Sequence, residues 1–271
     1  MTQNFIDDGY SIEKNIIPKE DIFKLIQEIH QIFLLRFKKI NFKFELNTDG
    51  LIHDQFFFDF FSNHNDDYIS CMRQIQNLPK IFEIGTSKIL FKKIKDLGIT
   101  FPAFSTPPLI MLNHKKLSKS EGYWKTPIHQ DWRSIQGSLN SIVVWIPLVD
   151  ISTELGPVEI IPKSHKNGLL PSDTDDWYAH VKNEYVNQED FIPVKISRSD
   201  AMLFSSFLVH RSGINSSNKI RYSLQFRFND ISESSYIQRC YPNPYNSVRP
   251  QKDLITPNFP KKSDIKKIFT D

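Results

Sequence analysis

Apolar positions recur at helical spacing in the first third of this chain and fall into short extended runs over the rest. From Pro18 to Lys39, Ile22, Leu25, Ile26, Ile29, Ile32 and Phe33 share one helical face, with Glu20 and Asp21 early and Lys38 and Lys39 late. That pattern predicts an amphipathic helix whose charged ends suit its dipole. A second helical region is predicted over roughly 66–97, interrupted near Pro79 and stopped by Gly98. Residues 55–61, QFFFDFF, read as a core or interhelical plug in preference to a substrate wall.

After Gly98 the runs shorten and Pro, Gly, Asn and Ser separate them. Strands are predicted near 107–113, 126–132, 140–149, 157–162, 191–196, 200–209 and 220–229. Many short strands with turn signals indicate a sandwich or barrel. In the last of them Arg221, Ser223, Gln225 and Arg227 alternate with Tyr222, Leu224, Phe226 and Phe228, giving one polar and one apolar face. If Arg221 faces a cavity, the polar set lines it and the apolar set packs outward against the helices, a jelly roll with a wet pocket. The fold class predicted is mainly β with N-terminal helices: one domain over 1–271, with a helical buttress at 1–98, a β core at 99–230 and a C-terminal extension at 231–271. The connection from about Lys163 to Asp190, carrying Trp177 and Tyr178, is the natural place for a lid.

Composition narrows the function classes. Hydrophobic content of 39% with 22 phenylalanines is ample for a core, and 34 basic against 31 acidic residues leave a net charge of +3, too balanced for a nucleic-acid or membrane partner. The N-terminus lacks a basic segment followed by an apolar core, and no run approaches about 18 apolar residues, so a soluble, unexported, cytoplasmic protein is expected. Cys71 and Cys240 form no Cys-x-x-Cys pair, which fits a reducing compartment and argues against a thiolate metal site.

The chemistry concentrates in TPIHQDW, residues 126–132. Read as a strand, it projects His129 and Asp131 to one face while Gln130 turns away. A second imidazole is available at His210, where a strongly apolar run ends and a Gly/Asn/Ser turn precedes the next alternating run. Two histidines and one carboxylate with positions left open make the facial triad of non-haem iron oxygenases. Arg221 follows eleven residues after His210, and arginine forks a carboxylate through two parallel bonds. His30, His53, His64, His114 and His180 carry no such context and read as surface or core histidines.

His129-x-Asp131, His210 and Arg221, together with MLNHKK, VVWIPLVDISTELGPVEIIPKSHKNG, HRSG and the opening FIDDGYSIEKNIIPKEDIFKLIQEI, resemble the phytanoyl-CoA dioxygenase family over about Phe5 to Asp230. The resemblance implies a double-stranded β-helix. It implies Fe(II) on His129, Asp131 and His210, and 2-oxoglutarate on Arg221 and Ser212, with Trp145 and more weakly Met111 beside it and O2 as the third reactant. Asn113 shares Met111's strand face and is a guess; Gln225 and Arg227 could reach substrate or bond neighbouring strands. His165, in a turn the family also carries, is expected to be structural. The implied reaction is oxidative decarboxylation of 2-oxoglutarate to succinate and CO2 coupled to hydroxylation of a C–H bond. Two departures stand out: Leu155-Gly156 where the family has Asn-Gly, and Pro162-Lys163-Ser164-His165 where it has Pro-Gly-Ser-His. The rival classes are a cupin-like metal-dependent isomerase without 2-oxoglutarate, against which Arg221 argues, and a non-catalytic binding module on the same fold, against which the intact triad argues.

Overall fold

The computed structural model describes residues 2–119, 124–174, 179–246, 254 and 256–269. The helices come first: α1 (Gln3–Asp8), α2 (Lys19–Lys39), α3 (Asp54–Asn63), α4 (Asn65–Ile75), α5 (Pro79–Gly85) and α6 (Lys88–Asp96). α2 runs as its periodicity predicts. The region expected as one interrupted helix is three, because the chain breaks before Pro79, which opens α5 at a position where its missing N–H costs nothing, and again at Ser87, whose side chain caps α6. The phenylalanine-rich stretch is α3. Its Phe57, Phe58 and Phe60 are buried, and Phe57 and Phe60 meet Phe33 and Phe37 of α2 edge-on with ring centroids 4.7 Å apart. Burying each such ring is worth about 1.5–3 kcal/mol, which is why the plug reading holds.

One early segment departs from the helical pattern: β1 (Tyr10–Glu13) joins the edge of the main sheet. The other strands are β2 (Pro102–Phe104), β3 (Leu109–Asn113), β4 (Ile142–Pro147), β5 (Val158–Ile160), β6 (Ser172–Thr174), β7 (Ala179–Val181), β8 (Ile192–Pro193), β9 (Ala201–Ser205), β10 (His210–Ser212) and β11 (Arg221–Asp230). Antiparallel pairing orders the main sheet β1-β9-β4-β11-β2, with β3 also on β11; a smaller sheet runs β10-β5-β8 and a hairpin pairs β6 with β7. Among the described residues the early helices are followed by α7 (Trp132–Ile135), α8 (Ser234–Gln238) and α9 (Lys262–Phe269).

The main sheet is covered on both faces. Ile142, Val144 and Ile146 of β4, Ala201 and Leu203 of β9, and Tyr222, Leu224, Phe226 and Phe228 of β11 enter one apolar cluster with the helices. From the opposite face Val143, Trp145, Met202 and Phe204 pack toward Val158 and Ile160 of the smaller sheet. β11 breaks this symmetry, as its alternation predicts: Arg221, Gln225 and Arg227 face a cavity between the sheets instead of grease. The helices and sheet therefore share a core.

Two strand assignments need correction. The run 200–209 is not one strand: β9 ends at Ser205, a turn follows, and His210 opens β10 in the other sheet. All ten residues from Ala201 to His210 are buried, so no periodicity marks the bend. Nor is 126–132 a strand. Only His129 pairs, as a single bridge to His210; Asp131 has φ −60° and ψ −30°, and leads into α7. The strand expected at 191–196 contracts to the two residues of β8. Among its described residues the proposed lid contains β6, β7 and three short 3-10 turns, while Trp177 and Tyr178 lie outside the described residues.

Candidate active site

The site is assembled by backbone pairing across the sequence. His129 and His210 exchange N–H···O=C bonds of 3.0 and 3.1 Å, bringing their imidazole centroids to 4.1 Å. Each ring is then turned by its own chain: His129 Nδ1 bonds the Pro127 carbonyl at 2.8 Å and His210 Nδ1 the Leu208 carbonyl at 2.9 Å. An Nδ1–H donating to a carbonyl leaves the lone pair on Nε2. Asp131 arrives by the helical turn of α7, not by strand alternation, and its Oδ2 lies 3.5 Å from His210 Nε2 while Oδ1 lies 4.0 Å from His129 Nε2. One ligand atom from each of the three residues falls within 4.8 Å of the others, a spacing that could hold a metal ion. Gln130 points away as expected and bolts the loop down, donating to the Gly168 and Phe207 carbonyls at 2.8 and 2.6 Å and accepting from Leu170 N–H at 2.8 Å.

The protonation states suit a cation. Burial pushes the His129 imidazole down to about 3, with His210 beside it adding to the effect, and lowers His210 in the same direction. Burial would raise the Asp131 carboxyl, yet the Arg227 guanidinium foremost, with the two imidazoles, holds it at about 2. At neutral pH the site therefore offers two neutral imidazoles and one carboxylate, the forms a metal requires. Asp131 Oδ2 is buried without a hydrogen-bond partner, a costly arrangement for a carboxylate oxygen unless a cation completes it. By these tests the residues fit Fe(II).

Arg221 is the second unsatisfied group. It is 3% exposed, donates Nη1 to the Gly156 carbonyl and Nη2 to Ser212 Oγ at 3.4 Å, and leaves Nε without a partner. Among the described residues no acidic neighbour offsets its burial, which lowers it to about 10 and still leaves it charged at neutral pH. A buried cation that faces a cavity and has no ion-pair partner among the described residues is matched to an anion from outside the protein. Gly156 has φ +74°, and a Cβ there would come within 2.6 Å of the Gly213 carbonyl, so the glycine kept after Leu155 is what lets its carbonyl reach Arg221.

The cavity is about 210 Å³ and its walls include Met111, Trp145, Ser212 and Arg221, the residues that the resemblance assigns to 2-oxoglutarate. Asn113 is not among them; its amide donates to the Trp124 carbonyl at 2.6 Å, and its own carbonyl accepts from Asn215. The remaining histidines that were read as structural behave so where their contacts are defined. His30 accepts from Ile52 N–H, His114 stacks on Phe58, and His165 bonds the Ile6 carbonyl. Two wall residues were not foreseen in their roles. Arg227 forks Asp131, a partner that β11's alternation brings near but cannot name. Tyr245, from the C-terminal extension, closes one side of the cavity without any marker in sequence. Arg239 of the same extension donates to the Gln136 and Gly137 carbonyls, pinning the end of α7.

The family model for phytanoyl-CoA dioxygenase matches residues 5–223. The chain belongs to the phytanoyl-CoA dioxygenase family. Among curated relatives, methylphosphonate hydroxylase from Gimesia maris is 27% identical over 161 residues, covering 59% of this chain and 60% of that one. The human peroxisomal phytanoyl-CoA dioxygenase is 20% identical over 234 residues, covering 82% and 65%. The chain thus spans less than two thirds of the length of either relative. A solved non-heme monooxygenase, the ThoJ-Ni complex, superimposes with a TM-score of 0.55 at 14% identity, covering 84% of this chain and 76% of that one. That likeness supports the double-stranded β-helix fold, with the main and smaller sheets as its two layers. No helix among the described residues is long and apolar enough to cross a membrane.

Proposed function

We propose that this chain is an Fe(II)- and 2-oxoglutarate-dependent dioxygenase that hydroxylates a C–H bond of a small-molecule metabolite. The observation that carries the reading is the pairing of two unsatisfied features in one cavity: Asp131 Oδ2 beside two neutral imidazoles, and Arg221 with no counter-ion among the described residues. The first suits a divalent cation. The second suits the far carboxylate of a dicarboxylic acid, which is why a metal-dependent isomerase without 2-oxoglutarate explains the cavity less well.

In this reading His129 and His210 hold the ion through Nε2 and Asp131 through its carboxylate, while the Pro127 and Leu208 carbonyls keep both rings in the required tautomer. Arg221 and Ser212 receive the distal carboxylate of 2-oxoglutarate, and Trp145 and Met111 flank its chain. When bound, Fe(II) would supply the oxidising power that couples conversion of 2-oxoglutarate and O2 to succinate and CO2 with hydroxylation of the substrate. The protein's own work is to hold the donors, exclude water and present one C–H bond. Residues 1–271 act in this as a single unit, since Tyr245 and Arg239 complete a site carried by the β core.

A cavity of about 210 Å³ that must also take 2-oxoglutarate leaves room for a small substrate or for the reactive end of a larger one. A cleft of about 960 Å³ adjoins it, sharing Thr126, Arg211 and Ser212, and could carry the remainder. The buried Cys71 and exposed Cys240, both unpaired, suit a reducing compartment such as the cytoplasm.

Anaerobic addition of Fe(II) and then 2-oxoglutarate tests the reading. A weak visible charge-transfer band is expected only when both are present; its absence overturns the assignment. Succinate release in a metabolite screen then identifies the substrate.

A further inference from the structure

β11 turns Arg227 toward the cavity, yet its guanidinium is committed to the protein. Nε at 3.1 Å and Nη2 at 2.9 Å donate to the same oxygen of Asp131, Oδ1. Nη2 also donates to Gln225 Oε1 at 3.3 Å, and Gln225 Nε2 donates to Met111 Sδ at 3.4 Å. A row of three cavity-wall residues thus braces one half of the carboxylate. The other half, Oδ2, is buried without a hydrogen-bond partner on the side of His210. A carboxylate has about four lone-pair sites over two oxygens; Arg227 uses those of Oδ1 and leaves those of Oδ2.

We propose that Arg227 is a positioning residue that makes Asp131 a one-oxygen metal ligand: by occupying Oδ1 it presents Oδ2 alone to an ion held by His129 and His210. This rests on the metal-centre reading above. Its consequence is a coordination count. An aspartate free to bind through both oxygens takes two positions on the ion and leaves one fewer for cosubstrates, whereas the forked aspartate takes one.

The amide of Asp131→Asn offers a sharp test, since it has only one oxygen to give. With Arg227 in place, two N–H donors claim that oxygen and the NH2 group is turned to the metal position. Co(II) affinity, measured by chelator competition, is compared in wild type, Arg227→Met, Asp131→Asn and the double variant. Arg227→Met is expected to tighten Co(II) binding by about tenfold in the Asp131→Asn background, within the range seen for groups that orient ligands, and to weaken it or leave it unchanged when Asp131 is intact. An equal gain in both backgrounds means that Arg227 acts through charge alone, and overturns the proposal while sparing the metal centre. Failure of wild type to bind Co(II) overturns both.

A second measurement reads wild-type protein and needs only the charge-conserving Arg227→Lys variant, for assignment. The Arg227 Nε–H resonance, identified by its loss in Arg227→Lys, should stay protected from exchange when Zn(II) is added. Its collapse to the position of a solvent-exposed arginine on Zn(II) loading shows that the guanidinium has let go of Oδ1, and the proposal falls.

Discussion

His129 and His210 are each other's backbone partners, joined by bonds of 3.0 and 3.1 Å in both directions. Their separation is therefore set by main-chain geometry, and only the rotation of each ring is left to local contacts. Asp131 has no such tie; its position depends on α7 and on Arg227.

This difference shapes what alanine does at the triad. His129→Ala, Asp131→Ala and His210→Ala should each lose Fe(II) binding and 2-oxoglutarate-dependent turnover, read as metal content after desalting and as succinate release. The histidine variants should melt close to wild type. Asp131→Ala should be less stable by about 3 kcal/mol, because it leaves the mostly buried Arg227 guanidinium without its carboxylate. Full activity in any of the three under limiting iron removes that residue from the site.

Arg221→Lys keeps a charge but loses the planar fork. The 2-oxoglutarate requirement should rise by about 10- to 100-fold, the value of a charged hydrogen bond or two, with iron affinity close to wild type. Identical 2-oxoglutarate dependence in the two proteins makes the arginine structural and revives an isomerase-like activity.

A small residue in place of the proposed ligand Asp131 would leave a position for a halide, and this chain has the carboxylate there. A carboxylate in that position leaves no place for a halide, so the product formed in excess chloride should be oxygenated or desaturated. A chlorine isotope pair in its mass spectrum would show that Asp131 is not a ligand.

Burial holds the His30 and His165 imidazoles near 4, against about 6.5 in an unfolded chain. Below about pH 6.5 the unfolded chain takes up protons that the fold refuses until about pH 4. Stability is therefore whole above that window and drains as pH falls through it. The melting temperature of metal-free protein should be level from pH 8 to 7 and decline from 6.5 toward 4.5, with a shallower decline in His30→Gln. An unchanged slope in that variant shows that His30 protonates as readily folded as unfolded.

Lys163 holds a left-handed backbone, with φ +69°. Left-handed backbone costs a residue with a side chain about 1–2 kcal/mol, offset in part by the roughly 0.4–1 kcal/mol of chain entropy that glycine adds to the unfolded state. Lys163→Gly should raise the melting temperature by about 1–3 °C. A lower value means that the lysine side chain makes a contact worth more than its strain.

That His129, Asp131, His210 and Arg221 gather at one cavity could be read because two imidazoles, a carboxylate and a following arginine form a chemically distinctive set, and the alternation of β11 because one of its faces is oily. The conformation at 126–132 could not. Strand pairing and a turn into α7 both bring His129 and Asp131 together, and two residues of spacing do not tell them apart. The bend after Ser205 was hidden by uniform burial, which erases any period. Arg227's partner and Tyr245's place were invisible for another reason: each depends on a contact across some hundred residues, and no local pattern encodes which of several polar groups will be met.

β11 also carries a safeguard. Sliding it by one residue against β4 would preserve most backbone bonds while exchanging its faces. Arg221, Gln225 and Arg227 would then be forced among the phenylalanines of the helices, and Phe226 and Phe228 would fill the cavity. Such a strand could neither hold a cosubstrate nor close the core, so a chain with a mis-set cavity is also a poorly folded one. Correct placement of the reactive groups is thus checked during folding, before any iron arrives, by aromatic residues that never touch it.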